Sequence, residues 1–252
     1  MQLTGLLWGS KLLRRVEFPY AEILGPEASV DEIKDLIKKK GQVFIKPIFK
    51  GGVGKKGKSG LIGRASDIAT ALKEKERLYF AEHPAGAGKA DGVTFEGGVP
   101  AKNEVYFSIA ESTVFRAPTM TITHHGGVDI EELTKDKIKE VPFDPLTGLK
   151  SFHIANALEE LGAPSEIISP LVQNLPKLWT LYNNYGMNTL ELNPIRMSPD
   201  SAGRLVPVAC DFKCSFDIDD PAWKRLDLPP HLFASDYSEF EQEINQLRTY
   251  QG

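Results

Sequence analysis

The chain has 252 residues, of which 41% are hydrophobic and 25% charged, the balance of a soluble globular protein with enough length for one large domain or two small ones. A formal net charge of −4 and a pI near 5.8 argue against nucleic acid as a partner of the whole chain, so its lysine clusters need a local explanation. No stretch approaches the roughly 20 apolar residues that span a bilayer, and residues 1–9 lack the basic start and long apolar core of a secretory signal.

In chain order, residues 30–40 place Ile33, Leu36 and Ile37 on one helical face. Ser29 and Asp31 offer an N-cap, Lys38 to Lys40 suit the negative end of the helix, and Gly41 stops it. Residues 42–47 are short, branched and apolar, which predicts a buried strand. A loop rich in glycine and lysine follows, then a returning strand at 61–63 and a second helical pattern at 66–78. These make a small α+β unit ending near residue 99, with a turn-rich insertion at 84–92. A second α+β unit has strands at 104–110 and 118–123, a turn at 144–148, and helices at 152–161 and 170–185. Strands at 190–195 and 205–212, joined by a Pro-Asp-Ser-Ala-Gly loop, complete it. The tail beyond Asp219 is polar and proline-containing, with a helical pattern at 237–247.

Two cysteines, Cys210 and Cys214, are too few for a disulfide framework and lack neighbouring zinc ligands. They read as small buried side chains in a reducing compartment, which fits a cytoplasmic protein.

The loop after Lys46 holds five glycines and four lysines. Glycines let backbone N–H groups turn toward an anion, and lysines add charge without demanding planar geometry. The spacing is not that of a P-loop, because the loop joins two strands rather than a strand and a helix. Lys46 differs from the loop lysines in lying on the buried strand. Its attraction to a phosphate oxygen 4 Å away would be about 4 kcal/mol at an effective dielectric near 20. The same composition also suits a solvated surface loop or a contact with nucleic acid. Farther on, Glu191 and Asn193 lie two apart on one strand and share a face, and Asp211 lies on the neighbouring strand. One amide, one carboxylate and two phosphate oxygens would suit Mg²⁺, which takes few protein ligands. Ordinary strand-end acids would look the same.

Taken in order, Lys46, the loop Gly51-Gly52-Val53-Gly54-Lys55-Lys56-Gly57, the segment Gly126-Gly127-Val128-Asp129-Ile130, the turn Asp144-Pro145-Leu146-Thr147-Gly148 and the strand Glu191-Leu192-Asn193-Pro194 carry a resemblance. The set resembles the ATP-grasp part of the family that includes succinyl-CoA synthetase β subunits and ATP-citrate lyases, over about residues 11 to 219. Within that family, Thr123-His124-His125-Gly126-Gly127 and Lys55-Lys56-Gly57-Lys58 look like the citrate-cleaving branch. The chain departs from it by carrying a few more residues between Lys46 and the basic stretch.

The resemblance implies an α+β ATP-grasp fold: two α+β lobes with the nucleotide in the cleft between antiparallel sheets. Residues 18–99 would form the small lobe, and residues 1–17 with 100–252 the large lobe. It implies that Lys46 binds the nucleotide phosphates and acts in transfer. Gly52, Val53, Gly54, Lys55, Lys56 and Gly57 would supply the cover over the phosphates. Glu96 and Val99 would lie on the linker that reads adenine, Glu104 would hold the ribose hydroxyls, and Asn193 and Asp211 would hold Mg²⁺. ATP would be the phosphoryl donor to a histidine on a CoA-ligase partner. The complete enzyme, with CoA and citrate bound mainly outside this chain, would yield acetyl-CoA and oxaloacetate. The family's phosphohistidine lies in that partner, so His124 and His125 read as structural or as contacts near the site. The chain ends at Gly252 without the flavodoxin-like domain that follows in the family, which implies a fragment or a split subunit, inactive alone and part of a hetero-oligomer. Alternatives are a succinyl-CoA synthetase-type β subunit, a citryl-CoA synthetase, or a non-catalytic nucleotide-binding module.

Overall fold

The computed structural model describes residues 2–49, 60–82, 88–127, 133–217, 220–228 and 244. In chain order the elements are β1 (Gln2–Thr4), α1 (Leu6–Arg15), β2 (Ile23–Leu24), α2 (Val30–Lys40), β3 (Val43–Pro47), β4 (Gly63–Ala65), α3 (Ile68–Tyr79) and β5 (Val93–Gly97). There follow β6 (Asn103–Ser112), β7 (Ala117–Thr123), β8 (Lys139–Pro142), α4 (Ser151–Glu160), α5 (Ser165–Asn174), α6 (Pro176–Asn184), β9 (Met187–Pro199), β10 (Leu205–Ala209) and β11 (Lys213–Phe216).

Two antiparallel sheets organise these elements. The smaller has the order β2-β5-β3-β4, and α2 and α3 pack on it. The Ser29 hydroxyl accepts from Glu32 N at 3.3 Å while Ser29 N donates to the Glu32 carboxylate at 2.8 Å, so the start of α2 is a reciprocal capping box. Asp67 caps α3 through Thr70 N at 2.9 Å. Ile33, Leu36 and Ile37 bury their helical stripe with Val43, Ile45 and Phe95, each side chain contributing about 1.5–3 kcal/mol of hydrophobic stabilisation.

The larger sheet runs β1-β11-β9-β6-β7-β8, with β10 also paired to β9. Its core joins Phe107, Ile109, Leu190 and Leu192 to Leu6, Leu12 and Leu13 of α1 and to Ile154, Leu171 and Leu178 of α4 to α6. Among the described residues no helix is long and apolar enough to cross a membrane.

Several elements differ from the sequence reading. The returning strand is Gly63–Ala65, two residues later than expected. The single helix expected over 170–185 divides into α5, which begins at Ser165 and contains Pro170, and α6, which begins at Pro176. The ring removes one main-chain hydrogen bond near the first turn, and burial of Ile167 and Leu171 on one face compensates. The expected strand 205–212 divides into β10 and β11, with residues 210–212 between them. Strands β1, β2, β5 and β8 and helix α1 had no counterpart in the sequence pattern. Most of the polar tail lies outside the described residues.

Candidate functional site

Along β3, Val43, Ile45 and Pro47 are buried while Phe44 and Lys46 alternate with them, so the strand's period of two turns Lys46 away from the small core. Its ammonium lies 2.6 Å from a Glu96 carboxylate oxygen and donates to the Cys210 carbonyl at 3.0 Å. The Thr94 hydroxyl donates to Glu96 Oε1 at 3.3 Å and lies 3.4 Å from the Lys46 carbonyl oxygen. Burial alone would lower the Lys46 pKa, but the carboxylates of Glu96 and Asp211 outweigh it and raise it above the ordinary lysine value. The cation therefore persists while only 16% of its side chain is exposed. A cleft lined by Lys46, Thr94, Glu96, Asp211 and the first residues of α1 opens in front of it.

Glu96 does not lie on a linker, as the sequence reading expected. It sits inside β5, opposite Phe44 of β3 and Ile23 of β2, with 4% exposure. The strand was missed because all five of its residues are buried, which leaves no alternation to read. The connection between the two sheets begins after Gly97 and contains Val99.

On the large sheet, β10 pairs Ala209 with Ile195, and β11 pairs Lys213 with Glu191. Both ladders keep one register along the same edge of β9. Asn193 therefore falls opposite Asp211 across the gap between them, and Cys210 N closes the near side by donating to the Pro194 carbonyl at 3.0 Å. On the other edge of β9, Asn193 and Pro194 together face the single residue Tyr106 of β6, which is a β-bulge, and the Asn193–Pro194 bond is cis. Asn193 Oδ1 accepts from Gly127 N at 2.9 Å. Asp211 Oδ1 accepts from Phe212 N at 2.9 Å. Amide and carboxylate are hard oxygen donors, the type Mg²⁺ takes in small number, so this pair fits such an ion. Among the described residues no three His, Cys, Asp or Glu side chains cluster as a metal site.

The third part of the site lies at the start of β6. Glu104 Oε1 is gripped by Arg196 through Nε at 2.8 Å and Nη2 at 2.6 Å, and Arg196 Nη1 donates to the Val99 carbonyl at 3.1 Å. Gly126 N donates to the Glu104 carbonyl at 2.8 Å. Burial pushes the Cys210 thiol up to about 12, with smaller effects from Arg196, Lys46, Glu96 and Glu104, so both ion pairs lie within electrostatic reach of one residue. Cys214 is fully buried in the large core, and burial raises its pKa as well.

His124 and His125 follow β7. Their Nε2 atoms lie 3.0 Å apart, and His124 Nδ1 is buried with no partner among the described residues. Burial first, and the neighbouring His125 second, lower the His124 pKa. Gly52, Val53, Gly54, Lys55, Lys56 and Gly57 lie outside the described residues. The structure thus gathers Lys46, Glu96, Val99, Glu104, Asn193 and Asp211 along one seam between the sheets. Sequence reasoning missed Arg196, because only the register that sets it opposite Glu104 gives it a partner.

Residues 11–197 match the family described as the ATP-grasp domain. The chain is 28% identical over 230 residues to a succinate–CoA ligase [ADP-forming] subunit beta from Desulfatibacillum aliphaticivorans, covering 88% of this chain and 58% of that one. It is 30% identical over 186 residues to the subunit of that name from Nitratiruptor sp., covering 72% and 46%. The chain therefore spans about half the length of these curated relatives. In structure it superposes with a TM-score of 0.71 on ATP citrate lyase from Methanothrix soehngenii in complex with citrate and coenzyme A, at 20% identity, over 100% of this chain and 61% of that one. A dinucleotide-forming acetyl-coenzyme A synthetase from Ca. Korarchaeum cryptofilum, in complex with coenzyme A and Ca-AMPCP, gives 0.66 at 15% identity over 86% and 93%. With its two antiparallel sheets, its strand lysine bonded to the carbonyl that precedes Asp211, and its match over 11–197, the chain belongs to the ATP-grasp domain family.

Proposed function

We propose that this chain binds Mg·ATP in the seam between its sheets and presents the γ-phosphoryl group for transfer to a histidine on a CoA-ligase partner. The lobes would be residues 18–99 on one side and residues 1–17 with 100–252 on the other. The observation that carries the reading is Lys46 held at the Cys210 carbonyl, one residue before Asp211, with Asn193 opposite. A polyphosphate laid there would meet a fixed cation from the small sheet and hard-oxygen donors from the large one. Phosphoryl transfer needs positioning and charge neutralisation more than covalent help from the protein. Lys46 holds phosphate oxygens, Glu96 keeps the lysine charged and aimed, and Glu104 and the Val99 backbone receive the nucleoside. Gly52, Val53, Gly54, Lys55, Lys56 and Gly57 cover the phosphates. Asn193 and Asp211 would hold Mg²⁺, which when bound offsets charge on the transferring group.

The partner's phosphohistidine then activates the acid, for which citrate is the first choice, cleaved with CoA to acetyl-CoA and oxaloacetate. His124-His125-Gly126-Gly127 and the similarity to a citrate-bound lyase support that choice. Succinate is the second reading, favoured by the names of the sequence relatives. The CoA and acid sites, the flavodoxin-like domain and the phosphohistidine would lie on other chains or segments of a cytoplasmic hetero-oligomer.

Isothermal calorimetry with Mg·ATP tests the first step directly. Saturable one-to-one binding that needs Mg²⁺ is expected, and absence of binding sinks the reading. Acyl-CoA formation by the complete complex with citrate and with succinate then decides the acid.

A further inference from the structure

We propose that Arg196 is a positioning residue for the sugar end of the nucleotide, fixing the Glu104 carboxylate and the Val99 carbonyl as one pre-set acceptor unit. The inference rests on the nucleotide reading above.

Arg196 and Glu104 are register partners on β9 and β6, so their side chains rise from the same face of the large sheet. Two guanidinium nitrogens converge on Glu104 Oε1, and the third reaches the Val99 carbonyl. That fork spans a strand residue and the connection between the sheets, which a lysine's single ammonium cannot do with the same geometry. The grip leaves Glu104 Oε2 without a bond to Arg196. Gly127 sits on the Oε2 side, where a Cβ would collide with that oxygen, so a residue without a side chain leaves room there. Gly126 N holds the Glu104 backbone at 2.8 Å. The carboxylate is thus held at one oxygen and along its backbone, with its second oxygen presented for a vicinal hydroxyl pair. The two side chains are 28% and 31% exposed, so the pair is reachable from solvent yet shielded enough for its geometry to hold. A site pre-set to hydrogen-bond a hydroxyl discriminates against ligands lacking it.

The test uses the whole chain and four ligands: Mg·ATP, its 2′-deoxy and 3′-deoxy forms, and magnesium tripolyphosphate. Calorimetry gives each affinity and circular dichroism melts report the fold. The unaltered chain is expected to prefer ATP over at least one deoxy form by about ten-fold. In Arg196→Met that preference should fall below about two-fold, while tripolyphosphate binding stays within about two-fold of the parent. Arg196→Lys, which keeps the charge but not the fork, should also lose the preference, and it serves if the methionine variant does not fold. A variant that folds and keeps the parent's preference, or loses tripolyphosphate binding to the same degree as ATP, overturns the positioning role. A parent chain that binds no Mg·ATP overturns the nucleotide reading and this role with it.

Discussion

The Lys46 ammonium of the small sheet and the Cys210 carbonyl of the large one are joined by a 3.0 Å hydrogen bond across the seam. Because Cys210 precedes Asp211, this bond sets the lysine beside the acid that faces Asn193. The cation and the two hard-oxygen donors are therefore assembled by backbone register rather than by flexible side chains, which is the kind of pre-organisation phosphoryl transfer rewards.

The proposed binding role of Lys46 can be separated from its part in stability. Lys46→Met removes the ammonium 2.6 Å from the Glu96 carboxylate, which is 5% exposed, and breaking such a buried pair costs about 3–5 kcal/mol. Urea denaturation should show that loss, and adding Glu96→Gln should restore most of it. The doubly substituted chain should still bind Mg·ATP at least about ten-fold weaker than the parent, because the phosphate cation is gone. Near-parental affinity in that chain would remove Lys46 from the site.

Gly127 is predicted to be irreplaceable for binding, beyond its conformation. Its φ of +75° costs an L-residue about 1–2 kcal/mol, and a methyl group there would press on Glu104 while disturbing the N–H that Asn193 accepts. Gly162, with φ +68° and open space around it, gives the matched control. Gly162→Ala should lower the melting temperature and leave Mg·ATP affinity unchanged. Gly127→Ala should lower both, and equal affinities in the two variants would contradict the prediction.

Stability should fall on mild acidification. Burial lowers the pKa of His124, with His125 adding to the effect, and burial with Lys150 lowers that of His153. A histidine depressed in the folded state takes its proton more readily when unfolded, near pH 6.5. The folded chain is therefore favoured above that value and loses the advantage as pH drops toward the depressed values. Thermal melts from pH 7.5 to 5 should show the decline, and His124→Gln should flatten it. An unchanged slope in that variant would assign the effect elsewhere.

Much of the large-sheet side of the candidate site is legible in the sequence. Glu191 and Asn193 share a face by the period of the strand, and Asp211 lies on the next stretch of chain. The break between β10 and β11 that lets Asp211 face Asn193 was hidden, since residues 205–212 read as one strand. Helix α2 announced itself through Ser29, Glu32 and its apolar stripe, whereas β5 was silent because both of its faces are buried. Arg196 was invisible for a different reason. Its partners, Glu104 and Val99, are separated from it by 92 and 97 residues, and no local pattern encodes such a pairing.

The metal role proposed for Asn193 and Asp211 makes the sharpest functional prediction. If the pair holds Mg²⁺ on the nucleotide, Asp211→Ala should remove most of the magnesium dependence of ATP binding while metal-free ATP binds about as it does to the parent. Asn193→Ala should do the same less completely, because the amide contributes no charge. Partner phosphorylation should drop by at least about a hundred-fold in Asp211→Ala, the scale on which a lost charge-stabilising group acts in such transfers. Calorimetric titrations of ATP at several fixed magnesium concentrations measure the first effect, and transfer of labelled phosphate to the partner measures the second. If Asp211→Ala kept the parent's magnesium dependence and phosphorylated the partner normally, the ion would have to be held elsewhere, and the facing of Asn193 and Asp211 would be architecture alone.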